Sequence, residues 1–119
     1  VYTGDVEDIK AVYAALDISV MASALPEPFG GVVVDSIAFG VPVVGTAIGG
    51  TLEQVADGET GFLVPPGDAD ALACAIARLL EDDALRKRMG QAGRARFETH
   101  FEFETFYKKM TTLYREMVP

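Results

Sequence analysis

The stretch Ser23-Ala24-Leu25-Pro26-Glu27-Pro28-Phe29-Gly30-Gly31-Val32-Val33-Val34-Asp35 runs from the end of a β-branched segment into one of helical composition. At a helix start the first backbone N–H groups have no partner within the helix and carry partial positive charge. Gly30 and Gly31 take side chains away from that start, so a phosphate or a sugar can approach the amides, and the position favours an anion. Glu27 stands just before the helix, and Asp35 follows eight residues later, about a turn and a half inside it. A ligand lying along the helix would touch both, which suits an elongated molecule. Asp35 is also the one charge among Val32, Val33, Val34, Ile37 and Phe39. A carboxylate there is costly unless it faces solvent or hydroxyl donors, and a vicinal diol supplies two. The plainer alternative makes Glu27 a solvated loop acid and Asp35 an acid held near the helix start by the macrodipole.

Outward from this stretch, short β-branched runs alternate with longer helical patterns. Residues 1–3, 18–22, 41–46 and 62–64 read as strands, and residues 7–16, 30–39 and 51–56 as the helices between them, with Gly40 and Gly58 placed to end the last two. Strands joined by helical crossovers lie parallel, so the fold class is α/β. After Pro65-Pro66-Gly67, Asp68 is placed to cap a helix running to Leu80, with Leu72, Ile76, Leu79 and Leu80 as its apolar stripe. Two more helices are predicted over 83–97 and 102–117. The second carries Phe103, Phe106, Tyr107, Met110, Leu113, Tyr114 and Met117 at spacings of three and four, a stripe that must cover either this sheet or another domain. The pattern is that of a partial doubly wound, Rossmann-like parallel sheet with trailing C-terminal helices, its opening βαβ unit expected to lie upstream.

At 119 residues the chain is expected to form one domain over 1–119. Its stretch 29–50 is interrupted by Asp35, Pro42 and several glycines, which makes it a poor membrane span. With no apolar leader at residues 1–5 and a single Cys74, a cytoplasmic, reducing setting is expected. A net charge of −8 repels a phosphate backbone and argues against nucleic acid as a partner. Arg86, Lys87, Arg88, Arg94 and Arg96 gather on one helical segment and read as a solvated face.

In order and spacing, Glu27-Pro28-Phe29-Gly30, the acid at 35, Phe39-Gly-Val-Pro-Val-Val-Gly45, Gly49-Gly50-Thr-Leu-Glu53 and Asp57-Gly-Glu-Thr-Gly61-Phe-Leu-Val-Pro65 resemble the C-terminal domain of retaining GT-B glycosyltransferases. That group includes sucrose and trehalose-phosphate synthases and bacterial mannosyltransferases. The resemblance covers nearly the whole chain and implies the C-terminal half of a GT-B fold, a hexosyltransferase whose donor is a nucleoside diphosphate sugar. It implies that Glu27 is the catalytic acidic position, meeting the sugar hydroxyls, and that Asp35 meets the ribose. The backbone of Phe29, Gly30, Gly31 and Val32 would serve the sugar and diphosphate. The family's second acid is usually Glu, so Asp35 is shorter by one methylene. The family's Arg and Lys for the diphosphate have no counterpart before Gly30 except Lys10, on the wrong element.

The resemblance further implies an N-terminal acceptor-binding domain that these residues do not include. The chain alone is therefore expected to be inactive and prone to self-association. Neither a cofactor nor a metal is expected. Asp68-Ala-Asp70 reads as a helix cap rather than a metal pair, His100 as packed or exposed, and Cys74 as a small buried residue. Gly49-Gly50 reads equally as a turn or a ligand contact. The rival from another class is a non-catalytic nucleotide-binding or receiver-like regulatory module; a receiver needs clustered aspartates at its strand ends, and none are found here.

Overall fold

The apolar run Val41-Pro42-Val43-Val44 places its strand at the centre of the sheet in the computed structural model, which describes residues 2–118. Every residue of this strand, β2 (Val43–Thr46), is buried. On one side it pairs in parallel with β1 (Ser19–Met21), Ser19 opposite Val43, and on the other with β3 (Gly61–Val64), Val43 opposite Gly61. The order β1-β2-β3 follows the sequence, and the parallel α/β expectation holds.

The fourth strand expected at residues 1–3 does not form in its described part. Tyr2 and Thr3 are irregular, Tyr2 is 97% exposed, and Val1 lies outside the described residues. A strand persists where a neighbour takes its backbone N–H and C=O groups, and β1 is paired on its β2 side alone among the described strands. The strand expected from residue 41 begins two residues later because Pro42 has no N–H to give; its carbonyl still accepts from Ser19 N at 3.0 Å.

Helices pack on both faces. α2 (Gly31–Ala38) lays Val33 and Ile37 against Val43 and Val55 on one face. On the other, α4 (Ala69–Glu81) and α5 (Asp83–His100) bring Ala75, Leu79, Leu85 and Met89 onto Val44, Phe62 and Val64. Leu80, assigned to the apolar stripe of α4, is 61% exposed, and Ala75 takes its place facing the sheet. Aspartates cap three helices: Asp8 accepts from Ala11 N for α1 (Ile9–Ala15), Asp68 from Ala71 N, and Asp82 from Leu85 N. The helix expected over 51–56 is a single turn, α3 (Thr51–Gln54). Gly58 does not end it but turns the chain toward β3 at φ +76°.

The basic residues of α5 form the expected solvated face only in part, since Arg86 and Arg96 are half-buried. Arg86 Nη1 donates to Leu79 O at 2.7 Å in the last turn of α4, Arg94 Nη1 donates to Ala38 O at the end of α2, and Arg96 reaches Glu53 O and Gln54 O at the end of α3. Each satisfies orphan carbonyls and opposes a negative helix terminus. Lys87, Arg88 and Arg94 are exposed as expected.

Close backbone approach fixes α5 against the turn that follows α2. A Cβ on Gly90 would stand 2.1 Å from Gly40 O, so this crossing is open to glycine. The last helix, α6 (Phe103–Met117), buries none of its residues. Phe103, Phe106, Tyr107, Leu113, Tyr114 and Met117 are exposed, so its stripe does not cover this sheet. No described helix is long and apolar enough to cross a membrane.

Candidate functional site

Parallel sheets present their ligand loops at the carboxyl ends of the strands, and here the loops after β1 and β2 meet at that edge. Thr46 at the end of β2 donates through Oγ1 to Ser23 O at 2.8 Å, tying down the start of the first loop. Gly50 N then donates to Glu27 O at 2.9 Å. A Cβ on Gly49, at φ +58°, would stand 2.5 Å from Glu27 O, and one on Gly50 would stand 2.8 Å from Pro28 O. The glycine pair therefore turns the chain and lets two backbones lie against each other, which fixes the course of residues 27–29.

Within this frame Glu27 is exposed, and its carboxylate is oriented by Ser23, whose Oγ donates to Oε1 at 2.7 Å. Gly30 is the buried N-cap of α2, with extended backbone and no side-chain cap. A Cβ on Gly31 would meet nothing within 4 Å, so the space before the first turn of α2 is open. Gly31, Val32 and Asp35 are all exposed, and Asp35 lies one turn along from Gly31 on the same strip of helix. The expected residues thus lie on one loop and the helix it enters: Glu27 before the uncapped amides at the start of α2, and Asp35 a turn inside it.

Asp35 also faces Tyr13 of α1, whose ring is buried and stacks on Phe39 with centroids 5.6 Å apart. Burial first, then the nearby charge of Asp35, push the Tyr13 hydroxyl above its ordinary 10.0. Phe29 contributes backbone to the loop while its side chain, 62% exposed, lines an apolar groove of about 570 Å³ with Phe97, Phe101, Phe103 and Phe106.

Other assignments resolve plainly. Asp68 is a helix cap, accepting from Ala71 N at 2.8 Å. His100 is exposed and meets Phe101 edge-on. Cys74, expected to be buried, is exposed, because it lies on the face of α4 turned away from Ala75 and Leu79. Lys10 sits on α1, away from this loop in sequence and element. One residue was not singled out from sequence: Gln54 at the end of α3 is 1% exposed beside Gly30, and neither its Nε2 nor its Oε1 has a hydrogen-bond partner. Its place directly before Val55-Ala56 was its only signal.

The fold that carries these residues is similar to those of known proteins. Sucrose-phosphate synthase from Thermosynechococcus elongatus superposes with a TM-score of 0.83 at 42% identity, over 89% of this chain and 26% of that one. HepE from Anabaena, in complex with UDP, superposes with a TM-score of 0.89 at 32% identity, over 93% of this chain and 30% of that one. The D-inositol 3-phosphate glycosyltransferase of Corynebacterium urealyticum is 37% identical over 93% of the chain and 26% of its own length. The chain spans 23%, 30% and 26% of the first three curated relatives it matches. Its α/β sheet is that of GT-B glycosyltransferases, as the sequence resemblance implied. With residues 1–96 matching the profile of the glycosyl transferases group 1, the chain belongs to that family.

Proposed function

We propose that this chain is the donor-binding part of a retaining hexosyltransferase, holding a nucleoside diphosphate sugar along the loop 27–31 and the first turns of α2. The observation that carries the reading is the uncapped start of α2, open above Gly31, with the exposed carboxylates of Glu27 and Asp35 on either side. The diphosphate lies against the amides of Gly31 and Val32, where the helix dipole and free N–H groups stabilise negative charge. That stabilisation grows as the diphosphate departs. Glu27, steadied by Ser23, orients the sugar hydroxyls, and Asp35 accepts from the ribose diol. HepE complexes with UDP and with UDP-glucose support a ligand of this class.

Transfer proceeds with retention. The acceptor hydroxyl attacks the anomeric carbon from the face the diphosphate leaves, the leaving phosphate takes the hydroxyl proton, and no enzyme nucleophile intervenes. The acceptor comes from a further domain of the full-length protein, and the 119 residues alone carry no transferase activity.

Calorimetry of the full-length protein with UDP-glucose and with GDP-mannose tests the reading. Saturable binding of a donor is expected, and proton NMR of the glycoside should show the donor's anomeric configuration kept. An absence of binding to any nucleoside diphosphate sugar would favour the regulatory-module alternative.

A further inference from the structure

Gln54 has no role in the reading above, and its surroundings are unusual. The side chain is among the largest wholly buried ones, yet both ends of its amide lack partners. Buried amides are ordinarily paired, because an unmade hydrogen bond leaves the full desolvation cost in place. An apolar side chain of the same length would avoid that cost. Three features say where the amide is directed. Its Oε1 lies 3.5 Å from the point where a Cβ on Gly30 would stand, so the absence of a side chain at Gly30 lets the amide sit against the start of α2. The main chain of Gln54 is held by Arg96, whose Nε donates to Gln54 O at 3.0 Å, so α3 cannot easily swing the side chain elsewhere. The other wall of the contact is Met21 Cε, which offers no hydrogen bond; it would stand 3.2 Å from the same Cβ.

We propose that Gln54 is a positioning residue for the donor loop. When a nucleoside diphosphate sugar seats on the start of α2, Gln54 engages the peptide groups around Gly30, Oε1 accepting from an N–H and Nε2 donating to a carbonyl, and holds the loop in its binding shape. The amide is unpaired in the free protein and paired in the bound one, so its hydrogen bonds contribute to ligand affinity rather than to the stability of the free fold. It touches neither the sugar nor the diphosphate. The inference rests on the donor-binding reading and adds to it the residue beneath the loop.

The test uses the full-length protein and two variants. Gln54→Met keeps the length and removes the amide. Its ligand-free melting temperature should equal or exceed that of the wild type, whereas its affinity for UDP-glucose should fall by about tenfold or more, the effect of losing the net contributions of both hydrogen bonds. Gln54→Glu should bind UDP-glucose well at acid pH, where the neutral carboxyl keeps a donor and an acceptor. Binding should weaken as pH rises and a buried negative charge forms beside the anion site. A purely structural amide gives the opposite pattern: Gln54→Met melts lower, and UDP-glucose affinity is unchanged at every pH in both variants. That result with normal wild-type binding overturns the role of Gln54 alone. A wild type that binds neither UDP nor UDP-glucose overturns the donor-binding reading and this inference together.

Discussion

Arg96 donates through Nε to the main-chain oxygen of Gln54 at 3.0 Å, joining α5 to the one-turn helix that opens with the Gly49-Gly50 pair. The same guanidinium reaches Glu53 O at 2.6 Å. A residue remote in sequence from the donor loop thereby fixes the short helix against which that loop rests, since Gly50 N bonds Glu27 O. Arg96→Ala should lower stability by about 1–3 kcal/mol, the range for a charge-assisted hydrogen bond to partly buried carbonyls. Arg96→Lys keeps the charge, loses the fork and should recover only part of the loss. Urea unfolding of the two variants measures both effects.

The two glycines of the site should respond in opposite ways. Gly49→Ala places a Cβ 2.5 Å from Glu27 O at a left-handed φ, so it should destabilise the fold and displace Glu27. Gly31→Ala meets open space in the first turn of α2 and should leave the melting temperature unchanged or slightly raised. Its methyl group enters the donor volume, so nucleotide-sugar affinity should fall nonetheless. Equal melting and equal affinity for Gly31→Ala would place the diphosphate elsewhere.

Tyr13 links α1 to Asp35 in a way that pH reveals. Its hydroxyl titrates above 10.0 in the folded chain, so the fold holds that proton more tightly than the unfolded chain does. This contribution to stability is complete below pH 10.0 and is lost as pH rises through the folded value. Tyr13→Phe should flatten that alkaline part of the stability profile and leave the acid side unaltered. An identical alkaline slope in the variant would mean that neither burial nor the charge of Asp35 raises the tyrosine.

The stripe on α6 predicts the behaviour of these 119 residues expressed by themselves. Phe103, Phe106, Tyr107 and Tyr114 are exposed, and contiguous apolar surface of this kind seeks a partner. Sedimentation should show concentration-dependent self-association, reduced in the double variant Phe106→Glu, Tyr114→Glu. A monomer at all concentrations would show that the stripe is tolerated in water.

Much of this was legible in the sequence because local signals agreed with the tertiary answer. The β-branched run around Val43 and Val44 and the aspartate at 68 mark a buried strand and a helix start by chemistry that acts over a few residues. Glu27, Gly30, Gly31 and Asp35 were legible as a group for the same reason, their spacing being a property of one loop and one helix. What was not legible depends on partners far along the chain. Residues 1–3 have strand composition, and Tyr2 and Thr3 have no strand beside them. Arg94 and Arg96 look like surface charge until Ala38 and Gln54 arrive beneath them from 56 and 42 residues away. Gln54 itself reads as a polar residue on a short helix, and its burial follows from how α3 meets the start of α2.

The division of labour between the two carboxylates is best tested by calorimetry of full-length Asp35→Ala and Glu27→Ala with UDP and with UDP-glucose. Charge-assisted hydrogen bonds contribute about 1.5–3 kcal/mol each, so Asp35→Ala should weaken both ligands by about tenfold or more, because the ribose is common to both. Glu27→Ala should leave UDP affinity as it is and weaken UDP-glucose alone, and Asp35→Glu, which keeps a carboxylate at this position, should keep binding of both. UDP affinity unchanged in Asp35→Ala but lost in Glu27→Ala would contradict the assignment of ribose to Asp35 and sugar to Glu27.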